Sequence, residues 1–187
     1  MDFLWENIFK QSQKARTISA LLAENFLFSD LTKKELRFVE NIVHERHYRT
    51  GESIFKQGEI GVGMYIVVKG SVDIIVYDTD PTGKRPTQNI LVTRLMSGDF
   101  FGEISLVEEN GRRSASAVAA EDSIVIGFFK PDLMEILERS PATGVKVVFK
   151  LAEVLGRRLK ETTDKITQLR SEIKLLAELQ EKQNRDV

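Results

Sequence analysis

The chain has 187 residues, of which 42% are hydrophobic, and it carries a formal net charge of −1 and no cysteine. This length and composition predict one globular domain with additional helices, and they argue against a disordered chain. The balanced charge argues against a protein that binds nucleic acid by bulk charge, and the lack of cysteine excludes disulfides and favours a reducing, cytoplasmic setting.

The N-terminal part is predicted to be helical. Its first residues lack the basic head and unbroken apolar core of a signal peptide, and the apolar runs of the chain are too short to span a bilayer. Residues 1–27 form the predicted N-terminal helical segment, because apolar residues recur there at helical spacing. These are Leu4, Ile8, Ala15, Ile18 and Leu22.

A second helix is predicted from about Leu31. Thr32 and Glu35 have the spacing of a capping box, in which each residue satisfies a backbone N–H group near the other. The apolar stripe behind this cap consists of Leu36, Val39 and Val43.

From about residue 47 to residue 140 the pattern changes to short apolar runs separated by glycine turns. The runs are rich in Val, Ile and aromatic residues, which is typical of strands. They are Ser53–Phe55, Met64–Val68, Val72–Tyr77, Ile90–Leu95, Ala115–Ala119 and Ile124–Phe129, with a long polar hairpin loop at Asp78–Gln88. Many short strands at close spacing predict a mainly β fold, an antiparallel roll or barrel over residues 28–140.

Two helices are predicted after Lys130. Pro131 opens a short helix over Asp132–Glu138, and Ser140-Pro141 starts a long one that continues to about Gln183. Residues 141–187 therefore form the third predicted segment. Apolar residues in this helix follow a spacing of four and three, which is a heptad pattern. The seam consists of Leu155, Leu159, Thr162, Ile166, Leu169, Ile173 and Leu176.

This seam favours a parallel two-stranded coiled coil, and hence a homodimer formed through residues 155–180. A single amphipathic helix lying on its own domain is the alternative, although a stripe this narrow suits a partner helix better. Lys165 and Arg170 would face each other as like charges across the seam and weaken the pairing. Tetramers and helices of another protein are further possibilities.

The segment Phe101–Ala119 carries the clearest chemical signal, because it reads as a cradle for a phosphate. Gly102 lets the backbone approach a ligand closely. Residues 103–106 can form one helical turn whose N–H groups face an anion. Arg113, entering the next strand, can hold two phosphodiester oxygens in one bidentate contact.

Glu103 is out of place beside a bare phosphate, but it can accept a hydrogen bond from a hydroxyl group. A 3′,5′-cyclic ribose phosphate has a free 2′-OH, so Glu103 and Arg113 together describe a ligand with one hydroxyl and one phosphate. Ser114 adds a hydroxyl donor, and Ala115 stays small where the ligand would lie against the sheet.

This segment resembles the phosphate-binding cassette of the cyclic nucleotide-binding domain family. The family pattern is Gly-Glu, any residue, a small residue and an aliphatic one, then after a loop Arg, a small polar residue and Ala. Phe101–Leu106 and Arg113–Ala115 fill every position, whereas Arg112 stands where many members have proline. The resemblance implies a jelly-roll-like β-roll and a ligand-binding set of Gly102, Glu103, Ile104, Ser105, Arg113, Ser114 and Ala115.

The implied function is that of a sensor for a cyclic nucleotide, cyclic AMP or cyclic GMP, with no metal. Ser114 is compatible with either nucleotide, and cyclic AMP is the favoured ligand. A dimer that keeps the fold as an interaction scaffold without the ligand is the alternative. No nucleophile–base pair or carboxylate–histidine metal cluster stands out, so a non-enzymatic protein is predicted.

The stretch Arg157–Lys165 resembles the dimer helix of bacterial transcription factors in that family. There, an adjacent pair of hydroxyl residues reaches the adenine, one from each subunit. Thr162 and Thr163 occupy the matching positions, and Arg158 joins the implied ligand-binding set. Matching them requires about one extra helical turn before them, and Thr162 could instead be a polar residue that tunes the register.

The end of the chain predicts an output through another protein. Only about twenty residues follow Ile166 and they continue the same helix, so no DNA-reading module is predicted. The downstream protein is unknown. Elsewhere, His44 and His47 are read as a solvated pair rather than metal ligands. Gly61-Val-Gly63 is read as a turn, because no βαβ unit follows it.

Overall fold

The computed structural model describes residues 20–79 and 86–185. The described strands form two four-stranded antiparallel sheets, one ordered β1-β8-β3-β6 and the other β2-β7-β4-β5. Their bounds are His44–Tyr48 (β1), Ser53–Phe55 (β2), Gly63–Lys69 (β3), Ser71–Thr79 (β4), Pro86–Met96 (β5), Phe100–Phe101 (β6), Ser116–Ala119 (β7) and Ser123–Phe129 (β8). The predicted antiparallel roll is confirmed.

Helices precede and follow the strands of this roll in the sequence. The α-helices are α1 (Lys33–Glu40), α2 (Lys130–Arg139) and α3 (Pro141–Arg185), and two 3₁₀ turns occur at Phe26–Phe28 and Glu103–Leu106. Residues 20–24 are helical as well. The remainder of the predicted N-terminal stripe lies outside the described residues. None of the helices in the described part of the chain has an apolar stretch long enough to cross a bilayer.

The capping box of α1 is confirmed, and it also ties α1 to the beginning of α3. Thr32 Oγ1 accepts from the Glu35 backbone N–H, and Glu35 Oε2 accepts from the Thr32 N–H at 2.7 Å. The same carboxylate receives Lys146 Nζ at 2.9 Å on each oxygen, and Thr143 Oγ1 donates to it at 3.2 Å. The backbone N–H of Thr32, followed by Lys146, lowers the pKa of Glu35 to about 2.

The core of the roll lies between the two sheets, where alternate residues of each strand point inward. Tyr65, Val67, Val72, Phe101, Ala117 and Val125 form its buried centre. Aromatic rings are concentrated at one end: the ring of Tyr65 stacks on Phe101 with 5.6 Å between centroids, and Phe55 lies 5.9 Å from Tyr65 and 5.8 Å from Phe101. This aromatic end positions the residues of the cassette.

Three details differ from the sequence prediction. The roll begins at His44 rather than near residue 47, because β1 is a polar edge strand without an apolar run. The two-residue β6 is too short to leave a pattern. Both ends of the predicted loop at Asp78–Gln88 are strand: Asp78 pairs with Gln88, and Thr79 pairs with Pro86. Pro86 is tolerated there as the first residue of an edge strand.

The chain consists of two compact units, one up to Val148 and a second from Phe149 onward. The second unit is the remainder of α3, a continuous helix within its described residues. Apolar residues of the predicted seam are exposed in the single chain: Leu159, Ile166, Leu169, Ile173 and Leu176. Their exposure leaves an apolar stripe along this helix.

Candidate functional site

Arg113 is the centre of the cassette, although it is only 7% exposed. It lies just before β7, at the end of the loop that follows the 3₁₀ turn. Its Nη1 donates to the Gly102 carbonyl oxygen at 3.2 Å and to Ser105 Oγ at 2.9 Å, and its Nη2 donates to the Gly63 carbonyl oxygen at 2.7 Å. The guanidinium is therefore held by segments that are far apart in sequence.

The remaining edge of this guanidinium points to an anionic ligand. Among the residues that the structure describes, the Arg113 Nε–H is buried and has no hydrogen-bond partner. The contacts above use both N–H groups of Nη1 but one of the two on Nη2. The Nε–H belongs to the side edge of the guanidinium, beside Nη2, and a side edge of this kind can bind two oxygens of a phosphate. A buried donor on a cation is a group that an anionic oxygen can satisfy.

Glycines make room for the guanidinium. Gly102 has a φ of +78°, which side chains rarely adopt, and a Cβ there would lie 2.5 Å from Arg113 Nη1. A Cβ on Gly61 would lie 2.0 Å from Ser105 Oγ and 3.3 Å from Arg113 Cζ. Any side chain at either position would displace the groups that hold Arg113.

Glu103 lies beside this cation and is 2% exposed. It begins the 3₁₀ turn Glu103–Leu106, as predicted for these residues. Burial lowers the pKa of Arg113 below its ordinary value, and the negative charges of Glu103 and Glu59 offset part of this effect. The site is thus a buried, incompletely compensated cation, which an incoming phosphate would compensate further.

The other predicted cassette residues are arranged around this pair. Ser105 is buried against Arg113, Ala115 is half-buried, and Ile104 and Ser114 are exposed. Arg113 precedes β7 rather than entering it, because the strand begins at Ser116. The neighbouring Arg112 is exposed, and its Nη1 donates to the Gly58 carbonyl oxygen at 2.7 Å. Arg112 fastens the loop, and Arg113 faces the cassette.

Arg158, Thr162 and Thr163 lie on α3 in the second compact unit, and all three are exposed. Thr162 Oγ1 donates to the Arg158 carbonyl oxygen at 2.8 Å, and Thr163 Oγ1 donates to the Leu159 carbonyl oxygen at 2.9 Å. Each hydroxyl has therefore used its proton within the helix, which leaves the oxygen lone pairs as acceptors.

Sequence reasoning missed the residues that support Arg113. Gly63 was read only as part of a turn, yet its carbonyl oxygen holds Nη2 of the guanidinium. Phe55 lies under Arg113, with its ring centroid 4.0 Å from Cζ. The signal for Gly61 and Gly63 was present as a Gly-x-Gly spacing, whereas nothing in the strand pattern pointed to the role of Phe55.

The two histidines lie on β1. His44 Nε2 is 3.3 Å from Asp132 Oδ1, and His47 Nε2 is 2.7 Å from Glu45 Oε1. Across residues 20–79 and 86–185, no group of three or more potential ligand side chains is arranged to hold a metal ion.

The fold and the site define a class of binding domain. Residues 45–140 match the family model described as the cyclic nucleotide-binding domain. The chain therefore belongs to the cyclic nucleotide-binding domain family, a family of non-enzymatic ligand-binding domains.

Two curated proteins are similar to this chain over part of their length. The chain is 36% identical over 135 residues to the cyclic AMP receptor protein of Thermus thermophilus, covering 72% of this chain and 57% of that protein. It is 29% identical over 116 residues to the cAMP-dependent protein kinase regulatory subunit of Blastocladiella emersonii, covering 62% of this chain and 27% of that protein. The match thus spans little more than half the length of these curated relatives, or less.

A solved structure has a similar fold. The crystal structure of Thermus thermophilus catabolite activator protein is similar to this chain with a TM-score of 0.67 and 32% sequence identity. That similarity covers 78% of this chain and 63% of the other. The shared fold therefore extends over most of the residues described above.

Proposed function

We propose that this protein is a cyclic AMP sensor that binds the cyclic phosphate through Arg113 and the ribose 2′-OH through Glu103. The observation that carries the proposal is the buried Nε–H of Arg113, which has no hydrogen-bond partner within residues 20–79 and 86–185. A buried N–H without a partner costs about 1–3 kcal/mol, and a phosphate oxygen removes that cost. Gly102, Ile104, Ser105, Ser114 and Ala115 complete the proposed cassette.

The preference for cyclic AMP over cyclic GMP rests on Thr162 and Thr163. Their hydroxyl protons are used within α3, so the oxygens are available as acceptors. The exocyclic amino group of adenine donates hydrogen bonds, whereas guanine presents a carbonyl oxygen at the corresponding position. Acceptor oxygens therefore suit adenine. Arg158, one turn before Thr162, belongs to the same proposed ligand-binding set.

Homodimer formation through residues 155–180 is proposed on the exposed apolar stripe of α3. Leu159 is 70% exposed and Ile173 is 66% exposed in the single chain, and both belong to the heptad seam. A parallel pair would cover the stripe, and ligand contacts from both helices would couple binding to dimerisation. The signal would then pass to a partner protein. The cytoplasmic location remains a prediction from the cysteine-free composition.

Thermal unfolding with and without cyclic nucleotides tests the ligand. We expect cyclic AMP to raise the melting temperature in proportion to the logarithm of its concentration above Kd, and cyclic GMP to do so less. The double variant Thr162→Ala/Thr163→Ala should reduce this preference while it retains the phosphate contact. No stabilisation by either nucleotide at millimolar concentration would favour the scaffold alternative.

Sedimentation with and without cyclic AMP tests the dimer. We expect Ile166→Asp to give a monomer, because it places charges in the seam, and Gln168→Asp to remain dimeric as the control outside the seam. Equal sedimentation of wild type and Ile166→Asp would contradict the proposed coiled coil.

A further inference from the structure

We propose that Phe55 is the positioning residue for the phosphate-binding guanidinium: its ring fixes the plane in which Arg113 offers N–H groups to an anion. This inference rests on the proposed cyclic nucleotide binding. The ring centroid of Phe55 lies 4.0 Å from Arg113 Cζ, within the range of a cation–π contact. Arg113 is buried and Phe55 is half-buried, and partial removal from water strengthens such a contact.

The ring supplies the restraint that the hydrogen bonds leave open. Gly102, Ser105 and Gly63 hold the guanidinium by its Nη1 and Nη2 atoms. The cation–π contact uses none of the N–H groups as donors, so the Nε–H, which has no hydrogen-bond partner among the described residues, stays available to a ligand. A bidentate contact to phosphate requires coplanar groups, and a tilted guanidinium would lose one of its two bonds.

A bulge in β2 aims Phe55 at this position. Ser53 pairs with Val118 and Phe55 pairs with the adjacent Ala117, so two residues of β2 advance against one of β7. Without the bulge, Phe55 would lie on the same face as Ser53, because side chains alternate along a strand. With it, Phe55 shares the face of Ala117, which is completely buried in the core. Bulges commonly re-aim a side chain beside a site.

Two further aromatic rings, those of Tyr65 and Phe101, pack against Phe55. Its ring lies 5.9 Å from that of Tyr65 and 5.8 Å from that of Phe101, and both of these side chains are buried. Three aromatic rings in contact have little freedom to move apart in a close-packed core. The strand, the bulge and the aromatic cluster thus transmit a fixed orientation to Arg113.

The test compares Phe55→Leu with Phe55→Tyr in the full chain by calorimetry with cyclic AMP. Leucine keeps an apolar side chain but removes the π face, and we expect binding to weaken by roughly five- to thirtyfold. Tyrosine keeps the face and should restore affinity to within about twofold. Phe28→Leu is the control, since Phe28 is fully buried but packs on Phe128 rather than on Arg113.

A second readout separates positioning from loss of stability. The two phosphorothioate diastereomers of cyclic AMP replace one or the other exocyclic oxygen with sulfur, so the ratio of their affinities reports how the guanidinium grips the phosphate. We expect Phe55→Leu to bring this ratio towards one, and Phe28→Leu to leave it unchanged. The loss of affinity on removing the 2′-OH of the ligand should be the same in both variants, because that group is proposed to bind Glu103.

The ligand-free protein gives an independent measurement. An aromatic ring against the guanidinium shifts the Nε–H proton resonance of Arg113 upfield, and Phe55→Leu should remove this shift. Wild type that binds no cyclic nucleotide would refute the proposed function, and the resonance would still decide the placement of Phe55. If wild type binds cyclic AMP and Phe55→Leu has the same affinity and the same ratio of diastereomer affinities, the positioning role alone is refuted.

Discussion

Replacing Arg113 with lysine tests the central contact most directly. Lysine keeps one positive charge but cannot reproduce a planar fork. In the structure the guanidinium bonds Gly102, Ser105 and Gly63, and its Nε–H has no partner among the described residues. A single ammonium group can hold some of these partners or the phosphate, but it cannot hold the whole set.

The expected loss follows from the contact that disappears. One charge-assisted hydrogen bond contributes about 1.5–3 kcal/mol, which corresponds to roughly 10- to 150-fold in Kd. Isothermal titration calorimetry with cyclic AMP at fixed ionic strength measures this loss, and circular dichroism verifies that the variant is folded. The matched control is Arg112→Lys, in which the exposed neighbour loses its contact to Gly58 and the phosphate contact remains.

The ranking of the two variants decides the assignment. We expect Arg112→Lys to change the affinity by less than about threefold, because its hydrogen bond is at the surface. A larger effect for Arg112→Lys than for Arg113→Lys would mean that the phosphate is held by the other arginine. Equal affinity of wild type and Arg113→Lys would refute the bidentate contact.

Three further predictions address other parts of the chain. A 2′-deoxy cyclic AMP should bind about 1–3 kcal/mol more weakly in calorimetry, because the proposed hydrogen bond from the 2′-OH to Glu103 is lost; equal affinity would remove Glu103 from the site. Gly102→Ala should lower the melting temperature and the affinity by more than Gly98→Ala does, because both glycines have positive φ but a Cβ at Gly98 meets open space; equal losses would refute the steric argument. Glu35 has a folded pKa of about 2, below its ordinary value, so its contribution to stability is complete above about pH 5 and is lost as the pH falls towards 2. After solvent screening that contribution is about 1 kcal/mol. In urea unfolding, the free energy of unfolding of Glu35→Gln should differ less between pH 6 and pH 3 than that of wild type. An equal difference in both proteins would contradict the linkage.

Local signals in the sequence predict the structure well wherever a few neighbouring residues determine the backbone. The capping box of α1 requires only Thr32 and Glu35, and the 3₁₀ turn after Gly102 follows from the cassette motif itself. Strands with apolar runs are predicted to within one or two residues of their ends, except that β5 begins four residues before the predicted Ile90. The polar edge strand β1 is absent from the predicted runs, because its partner β8 rather than its own composition stabilises it.

Contacts between distant segments could not be predicted in this way. The carbonyl oxygen of Gly63 and the ring of Phe55 reach Arg113 only because β2, β3 and β7 meet at one end of the roll. The bulge that turns Phe55 inward is a property of how two strands pair, and a strict alternation of residues would place this ring on the outer face. The roles proposed for Arg113 and Glu103 come from the motif itself, which carries their chemistry.

The position of Arg113 explains why ligand binding and the stability of the roll should be linked. Its guanidinium joins the residue at the start of β3, the residue after β6 and the strand β2 through hydrogen bonds and a ring contact. Burial disfavours this cation, so the hydrogen bonds and the ring contact that join these segments also stabilise its charge. A phosphate that occupies the Nε edge stabilises the cation where it lies, and with it the strand ends that the cation joins. Ligand binding should therefore slow hydrogen exchange most at Gly63, Gly102 and Ser105, and a uniform slowing across both sheets would instead indicate stabilisation of the fold as a whole.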